Sequence, residues 1–324
     1  MIWKMLFLSV RFSHALIISI NKFLSSMKKQ IEIYHNKSLK DFCTFKIGGS
    51  AKLLFVVYSI RQLKFSIRYC LNNKLKFKVI GCGANLLFDD NGFDGAIIVN
   101  HCSRCFLISN RILVESGLSI AELINISANK GLSGIEFFAG IPSTLGGAIV
   151  NNLGAWNHEI SSCVISVYGF FAKANKNNKA FKTVKLAKKQ CGFGYRTSRF
   201  KDKDFTNFII TKIKLKLEKS SKSLILDNIK SVLNKKCRSQ PTDKPSAGSI
   251  FKRTDVIPAK LIDDAGLKGT KIGDAEISTK HAGFIINLGK ATSKDVKDLI
   301  THIQNEIYAK YSATLTREIE YVEF

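Results

Sequence analysis

Val79-Ile80-Gly81-Cys82-Gly83-Ala84-Asn85-Leu86-Leu87 runs from a strand-like apolar segment straight into two glycines one residue apart. Glycines placed directly after a strand leave backbone N–H groups bare, and successive bare amides form concave nests for phosphate oxygens. A second stretch, Phe138-Ala139-Gly140-Ile141-Pro142-Ser143-Thr144-Leu145-Gly146-Gly147-Ala148, leads on to Asn151-Asn152-Leu153-Gly154-Ala155. Its small residues, hydroxyls and single proline are too irregular for a strand and too glycine-rich for a helix interior. Neither stretch carries the G-x-G-x-x-G or G-K-[ST] spacing of the common nucleotide loops. Together, on either side of a small α/β unit, they point to a cofactor bearing a pyrophosphate.

The pattern around them is mixed α and β. Leu53–Val57 reads as a strand, and Ile60, Leu63, Ile67 and Leu71 then share one helical face before a strand at Lys76–Ile80. Further strands are expected at Ala96–Val99 and Ile112–Glu115. Ser119-Ile120-Ala121-Glu122 has the capping-box spacing and opens a helix that stops at Gly131. In Ile209–Leu217 lysines alternate with apolar residues, as on a half-solvated strand. The serine- and lysine-rich seam at 219–223 is read as a unit boundary. Beyond it come a helix near Leu224–Lys235, a loop at 240–249, a strand at Phe284–Asn287 and a helix opening at Thr292. That last helix carries Val296, Leu299, Ile300, Ile303 and Ile307 on one face, and Arg317–Val322 alternates as a closing strand. The units are therefore an N-terminal extension over 1–30, a domain over 31–218 in two lobes (31–100 and 101–218), and a C-terminal domain over 219–324.

Composition bounds the function. The 324 residues, 45% hydrophobic with 22 glycines, exclude a disordered or fibrous chain. No uninterrupted apolar run reaches the ~18 residues of a membrane span. Fifty Lys and Arg against 25 Asp and Glu give a formal net charge of +25. An anionic partner would explain that charge, but the lysines are dispersed, and the same chain is rich in Asn, Ile and Phe with only four prolines. A compositional bias is the preferred explanation, and no nucleic-acid partner is expected. Eight cysteines include one pair at metal spacing, Cys102 and Cys105, without a second pair to complete a zinc site. No metal and no disulfide is assigned. Residues 1–30 hold five basic residues and no acid around short apolar runs. They match neither a secretory signal nor a span, and are read as a dispensable tail or an over-long start ahead of Met27.

Thr44-Phe45-Lys46-Ile47-Gly48-Gly49, the two glycine-rich stretches and the Asn151–Ala155 run closely resemble the flavin domain of the UDP-N-acetylenolpyruvoylglucosamine reductase family. The match continues in order through Gly194-Tyr195-Arg196-Thr197-Ser198, Gln240-Pro241, Ser246–Lys252, Gly266–Gly269, Lys280–Phe284 and Leu315–Glu318, so it covers nearly everything from Leu39 onward. The resemblance implies an α+β architecture: a two-lobed FAD-binding domain of the vanillyl-alcohol-oxidase type plus a C-terminal α+β substrate domain. The short stretch from Lys252 to Leu261 matches the family's compact form. It further implies a cytoplasmic enzyme of peptidoglycan precursor synthesis, serving cell shape and division. That enzyme uses NADPH to reduce an enolpyruvyl UDP-sugar and is compatible with a monomer. The implied FAD contacts are Gly48, Gly81, Gly83, Ala84, Asn85, Leu86, Ala139, Gly140, Ile141, Pro142, Gly146 and Gly147. With no histidyl or cysteinyl attachment motif, the flavin is expected to be non-covalent.

Three groups carry the implied chemistry. Arg196 supplies a permanently charged fork for a carboxylate that gains electron density. Ser249 is the proton donor, and Glu318 orients the substrate or relays the proton. Read without the family, Arg196 is a surface arginine, Ser249 a turn residue, and Glu318 is indistinguishable from Glu320. Arg199 and Lys201 are taken as surface cations, Glu320 as solvated, and His281 as structural. Four positions depart from the family pattern: Ser143 for glycine, Ser239 for lysine, Gly283 for asparagine and Thr254 for proline. A different oxidoreductase on the same flavin fold is the competing reading, and a basic nucleic-acid-binding protein the remote one.

Overall fold

The computed structural model describes residues 30–173 and 181–323. Apart from Gln30, the N-terminal extension lies outside the described residues. The first lobe opens with β1 (Glu32–Ser38), β2 (Ser50–Val57), helix α1 (Ile60–Asn72), β3 (Phe77–Ile80), β4 (Leu86–Phe88) and β5 (Phe93–Asn100). Its sheet has the order β1-β2-β5-β3, antiparallel at β1 and parallel elsewhere. Helix α1 begins where the Ser59 hydroxyl accepts the Gln62 amide. It buries Leu63, Ile67 and Cys70 against one face of this sheet.

The second lobe follows with β6 (Cys105–Ile108), β7 (Arg111–Glu115), α2 (Ile120–Asn129), α3 (Leu145–Val150), β8 (Val164–Phe171), β9 (Val184–Ala187) and β10 (Phe208–Lys216). These strands form an antiparallel sheet in the order β9-β8-β10-β7-β6. Ile213 and Leu215 of β10 are buried under α2 and α3, while Lys212, Lys214 and Lys216 point away, so the alternation seen in the sequence is the two faces of this strand.

Helix α4 (Lys222–Ser239) comes next. The boundary expected at 219 would place α4 with the C-terminal unit. Its fully buried Ile225 and its half-buried Ile229 and Val232 face the second lobe instead, and the Lys236 ammonium bonds the Gly140 carbonyl there. The C-terminal unit proper holds β11 (Ser246–Ser249), α5 (Pro258–Asp264), β12 (Lys271–Ile272), β13 (Ala275–Ile277), β14 (Phe284–Asn287) and α6 (Ser293–Tyr311). Its sheet, β11-β14-β13-β12, is covered by α6 through Val296, Leu299, Ile300, Ile303 and Ile307. The last strand, β15 (Glu320–Val322), leaves this unit and pairs in parallel with β4 of the first lobe.

The first lobe and the C-terminal unit share one core. Phe45, Ile47 and Phe88 belong to the same buried cluster as Ile250, Phe251 and Ile285. Polar groups fix the docking angle. Buried Asn287 donates to the Phe45 carbonyl and accepts from the Gly289 and Ala291 amides. Asp90 of the first lobe caps α6 from outside, accepting from the Ser293 amide and hydroxyl and the Lys294 amide.

Candidate active site

The two glycine-rich stretches meet. A β-carbon on Gly81 would sit 2.1 Å from the Thr144 hydroxyl oxygen, so only glycine lets the first lobe lie this close to the second. Gly48 and Gly83 answer to the chain itself, since side chains there would strike Phe88 and the Phe42 carbonyl. Gly146 lies over the Ser116 carbonyl, and Gly140 under Leu233 and Lys236 of α4. A β-carbon on Gly147, by contrast, would meet nothing nearer than 3.5 Å. Thr144 caps α3 by accepting the Gly147 amide. Ser143, where the family has glycine, has no left-handed backbone to maintain, and its hydroxyl donates to the Thr144 carbonyl.

The amides of Cys82, Gly83, Ala84 and Asn85 find no acceptor among the described residues. Four consecutive donors without a protein acceptor, in a loop where Gly83 is buried, are the kind of set that can bind an anion. This donor set fits the pyrophosphate of FAD.

Arg196 and Glu318 come together from opposite ends of the molecule. Gly194 and Thr197 exchange backbone hydrogen bonds at 3.1 and 3.2 Å, closing a tight turn that holds Arg196 at φ 52°. That left-handed conformation is costly for arginine and persists because the surroundings impose it. Ser198 donates to the Val150 carbonyl at 2.6 Å, and fully buried Asn152 donates to the Gly194 carbonyl and to Glu159 and accepts from the Ser161 amide. Asn152→Ala leaves these partners unsatisfied, and a loss of about 1–3 kcal/mol of stability is expected from urea denaturation.

Glu318 is carried on the strand-like return of the chain. Its amide donates to the Ile250 carbonyl at 2.7 Å, and its carbonyl accepts from the Asn85 side chain at 3.1 Å. The carboxylate lies 3.0 Å from Arg196 Nε. That nitrogen is buried and meets no acceptor at a bonding angle, so the guanidinium is attracted to Glu318 but not saturated by it. Burial pushes the Glu318 carboxyl above the usual range, while the charges of Arg196, then Lys201, then Lys252 pull it back.

Ser249 ends β11, one residue before the carbonyl that takes the Glu318 amide. An extra residue bulges β11 between Ser246 and Ser249, with Gly248 at φ 78°, and leaves Ser249 exposed beside this return strand. Of the stretch 240–249 expected as a loop, only Ser246–Ser249 is strand, kinked at Gly248.

Lys201 lies at the surface as expected, and from there its ammonium reaches back to the Arg196 carbonyl at 3.2 Å. Desolvation, then the like charge of Lys252, lowers its proton affinity, against the pull of Glu320 and Glu318. Arg199 is half-buried, its guanidinium 4.4 Å over the Phe205 ring. Glu320 pairs with Lys78. His281 takes the Gly283 amide on Nδ1 at 3.1 Å, and burial lowers its pKa, which suits a neutral turn-forming ring. Of the remaining departures, the Ser239 hydroxyl closes α4 on the Lys235 carbonyl, and the Thr254 amide donates to the Val256 carbonyl, a bond a proline would lack.

Two lobes joined through glycine-rich segments, an amide nest at the seam and an Arg–Glu pair closed over it by a third unit define a flavin-dependent oxidoreductase. The family model for an FAD-binding domain matches residues 51–172, and that for the C-terminal domain of UDP-N-acetylenolpyruvoylglucosamine reductase matches 240–322. The reductase of that name from Clostridium novyi is 35% identical over 307 residues, 94% of this chain and 97% of the relative. That span takes in part of the N-terminal stretch, upstream of the Leu39 start expected from the motifs. The reductase from Caldicellulosiruptor saccharolyticus is 38% identical over 91% of this chain and 93% of its own. The crystal structure of the Thermus caldophilus reductase superposes with a TM-score of 0.74 at 30% identity, over 91% of this chain and 99% of that one. The chain belongs to the UDP-N-acetylenolpyruvoylglucosamine reductase family. Among the described residues, no helix is long and apolar enough to cross a membrane.

Proposed function

We propose that this chain reduces the enolpyruvyl ether of UDP-N-acetyl-3-O-(1-carboxyvinyl)-glucosamine to the lactyl ether of UDP-N-acetylmuramate, with NADPH as reductant. The observation that carries this is the convergence of Arg196 and Glu318 beside Asn85 of the amide nest and the strand that ends at Ser249. FAD, when bound, supplies the hydride for the β-carbon of the enolpyruvyl group.

The chain's own residues supply the rest. Arg196, with its unsaturated Nε, takes the substrate carboxylate and stabilises the charge that spreads onto it. Ser249 delivers a proton to the α-carbon, and Glu318 orients the reacting group and supports the relay. The amides of Cys82, Gly83, Ala84 and Asn85 hold the pyrophosphate, with Gly48, Gly81 and Gly83 letting the loop approach and Leu86 anchoring its end. The segment Ala139-Gly140-Ile141-Pro142 with Gly146 and Gly147 forms the facing wall. The unit boundary is placed at Gln240, since α4 packs on the second lobe. The setting is the cytoplasm and peptidoglycan precursor synthesis, on which cell shape and division depend. No nucleic-acid or membrane-spanning partner is part of this reading.

The purified protein is expected to be yellow, and acid precipitation should release all of its FAD into the supernatant. Flavin retained on the precipitated polypeptide would contradict the nest as the means of binding. The activity itself is tested by adding the enolpyruvyl UDP-sugar anaerobically to NADPH-reduced protein. Return of the oxidised flavin absorbance is the expected result, and a spectrum that responds only to simple alcohols would favour the competing oxidase.

A further inference from the structure

We propose that Lys201 is a positioning residue of this site, holding the Arg196 turn in its productive conformation and adding the positive charge that complements Glu318. This rests on the reading above and deepens it. Arg196 sits at φ 52° between Gly194 and Thr197, whose mutual hydrogen bonds constrain the turn but leave the Arg196 carbonyl unused. Lys201 fills that role from the short helical turn Arg199–Lys201, its ammonium donating to the Arg196 carbonyl at 3.2 Å. A left-handed arginine otherwise relaxes toward ordinary backbone angles, which would swing its guanidinium away from the carboxylate 3.0 Å off.

Electrostatics give the same ammonium a second task. The charged groups facing Glu318 are Arg196 from the turn, Lys201 from the helical segment after it, and Lys252 from the irregular segment following Ser249. Glu320, two residues along, also faces Lys201 and is paired with Lys78. One half-buried carboxylate thus pairs with Arg196 and feels the charges of Lys201 and Lys252. The neighbours Lys252 and Arg196 repel the Lys201 ammonium, and the two glutamates offset that repulsion.

The test uses Lys201→Met and Lys201→Arg in the FAD-loaded protein, with the two half-reactions followed separately by stopped flow. Wild type comes first: if it fails to turn over the enolpyruvyl UDP-sugar, the proposed function fails and Lys201 is not at issue. If it succeeds, Lys201→Met should reduce flavin with NADPH at the normal rate. It should reduce substrate about 10–100-fold more slowly, the worth of a hydrogen bond from a charged donor. Losing a cation beside Glu318 raises that carboxyl's pKa further, so the acid limb of substrate reduction should move to higher pH. Lys201→Arg keeps charge and donor, and should return the limb to its wild-type position. Infrared titration of the Glu318 carboxyl, assigned by its loss in Glu318→Gln, reads the same shift without turnover, and serves even where the Met variant is weakly active. An unmoved carboxyl titration, or equal slowing of both half-reactions, would overturn the proposal.

Discussion

Ser249→Ala is expected to separate the two halves of turnover. Oxidation of NADPH precedes reduction of the enolpyruvyl group, so a residue that only donates the final proton has no part in the first half. NADPH-driven loss of flavin absorbance should therefore run at its normal rate. Substrate reduction should fall by ~10²–10⁴-fold, the usual worth of a positioned general acid. The bulge at Gly248 is what gives the serine its place, so Ala preserves the backbone and removes only the hydroxyl. Binding should change little, because the lost atom is small and contributes mainly in the transition state. Stopped-flow measurement of each half decides the matter. Equal slowing of both would make Ser249 structural, and unchanged substrate reduction would mean that another group carries the proton.

The same return of chain that serves Ser249 shows where sequence reasoning stops. Helix α6 was legible because a cap at Thr292 and a 3.6-residue period are local signals, and the five apolar residues of its expected face are all buried. Phe284–Asn287 was legible for the same reason, as a short apolar run between turns. Arg317–Val322 looked like one alternating strand, yet only Glu320–Val322 pairs as a strand, and the buried residues are Ile319 and Val322, three apart. The chain changes partners there, from Phe251 of the C-terminal unit at Arg317 to Leu86 of the first lobe at Glu320. A switch between two units leaves no periodicity to read.

Charge was harder still. Lys201 and Arg199 look alike in the sequence, two basic residues in a basic loop, and only the fold separates them: one ammonium turns back to Arg196, the other cation lies on Phe205. Choosing Glu318 over Glu320 needed family motifs, because alternation put both on one face. In the structure Glu318 pairs with Arg196 and Glu320 with Lys78. Helix α4 went to the wrong neighbour in the reading because its seam at 219–223 has the composition of a linker, while its docking depends on glycines elsewhere, Gly140 above all.

Replacing Arg196 should test charge and geometry apart. Arg196→Met removes the cation that does most to hold Glu318 ionised against burial. Two consequences are expected. Substrate reduction should fall by about 10²–10³-fold, as when one preorganised donor is removed from a developing oxyanion. With the opposing charge gone, the Glu318 carboxyl, already raised by burial, should rise further, so that its ionised form persists only at higher pH and the acid limb of the rate profile moves up. Arg196→Lys restores a cation without the planar fork. It should bring the acid limb back toward wild type while recovering little of the lost rate, because a single ammonium cannot grip a carboxylate at two points and face Glu318 at once. NADPH oxidation should be unaffected in both variants. Steady-state pH profiles with stopped-flow rates make the distinction. Full recovery of rate in the lysine variant would show that charge alone suffices, and an unshifted limb in the methionine variant would remove Glu318 from the titration that governs turnover.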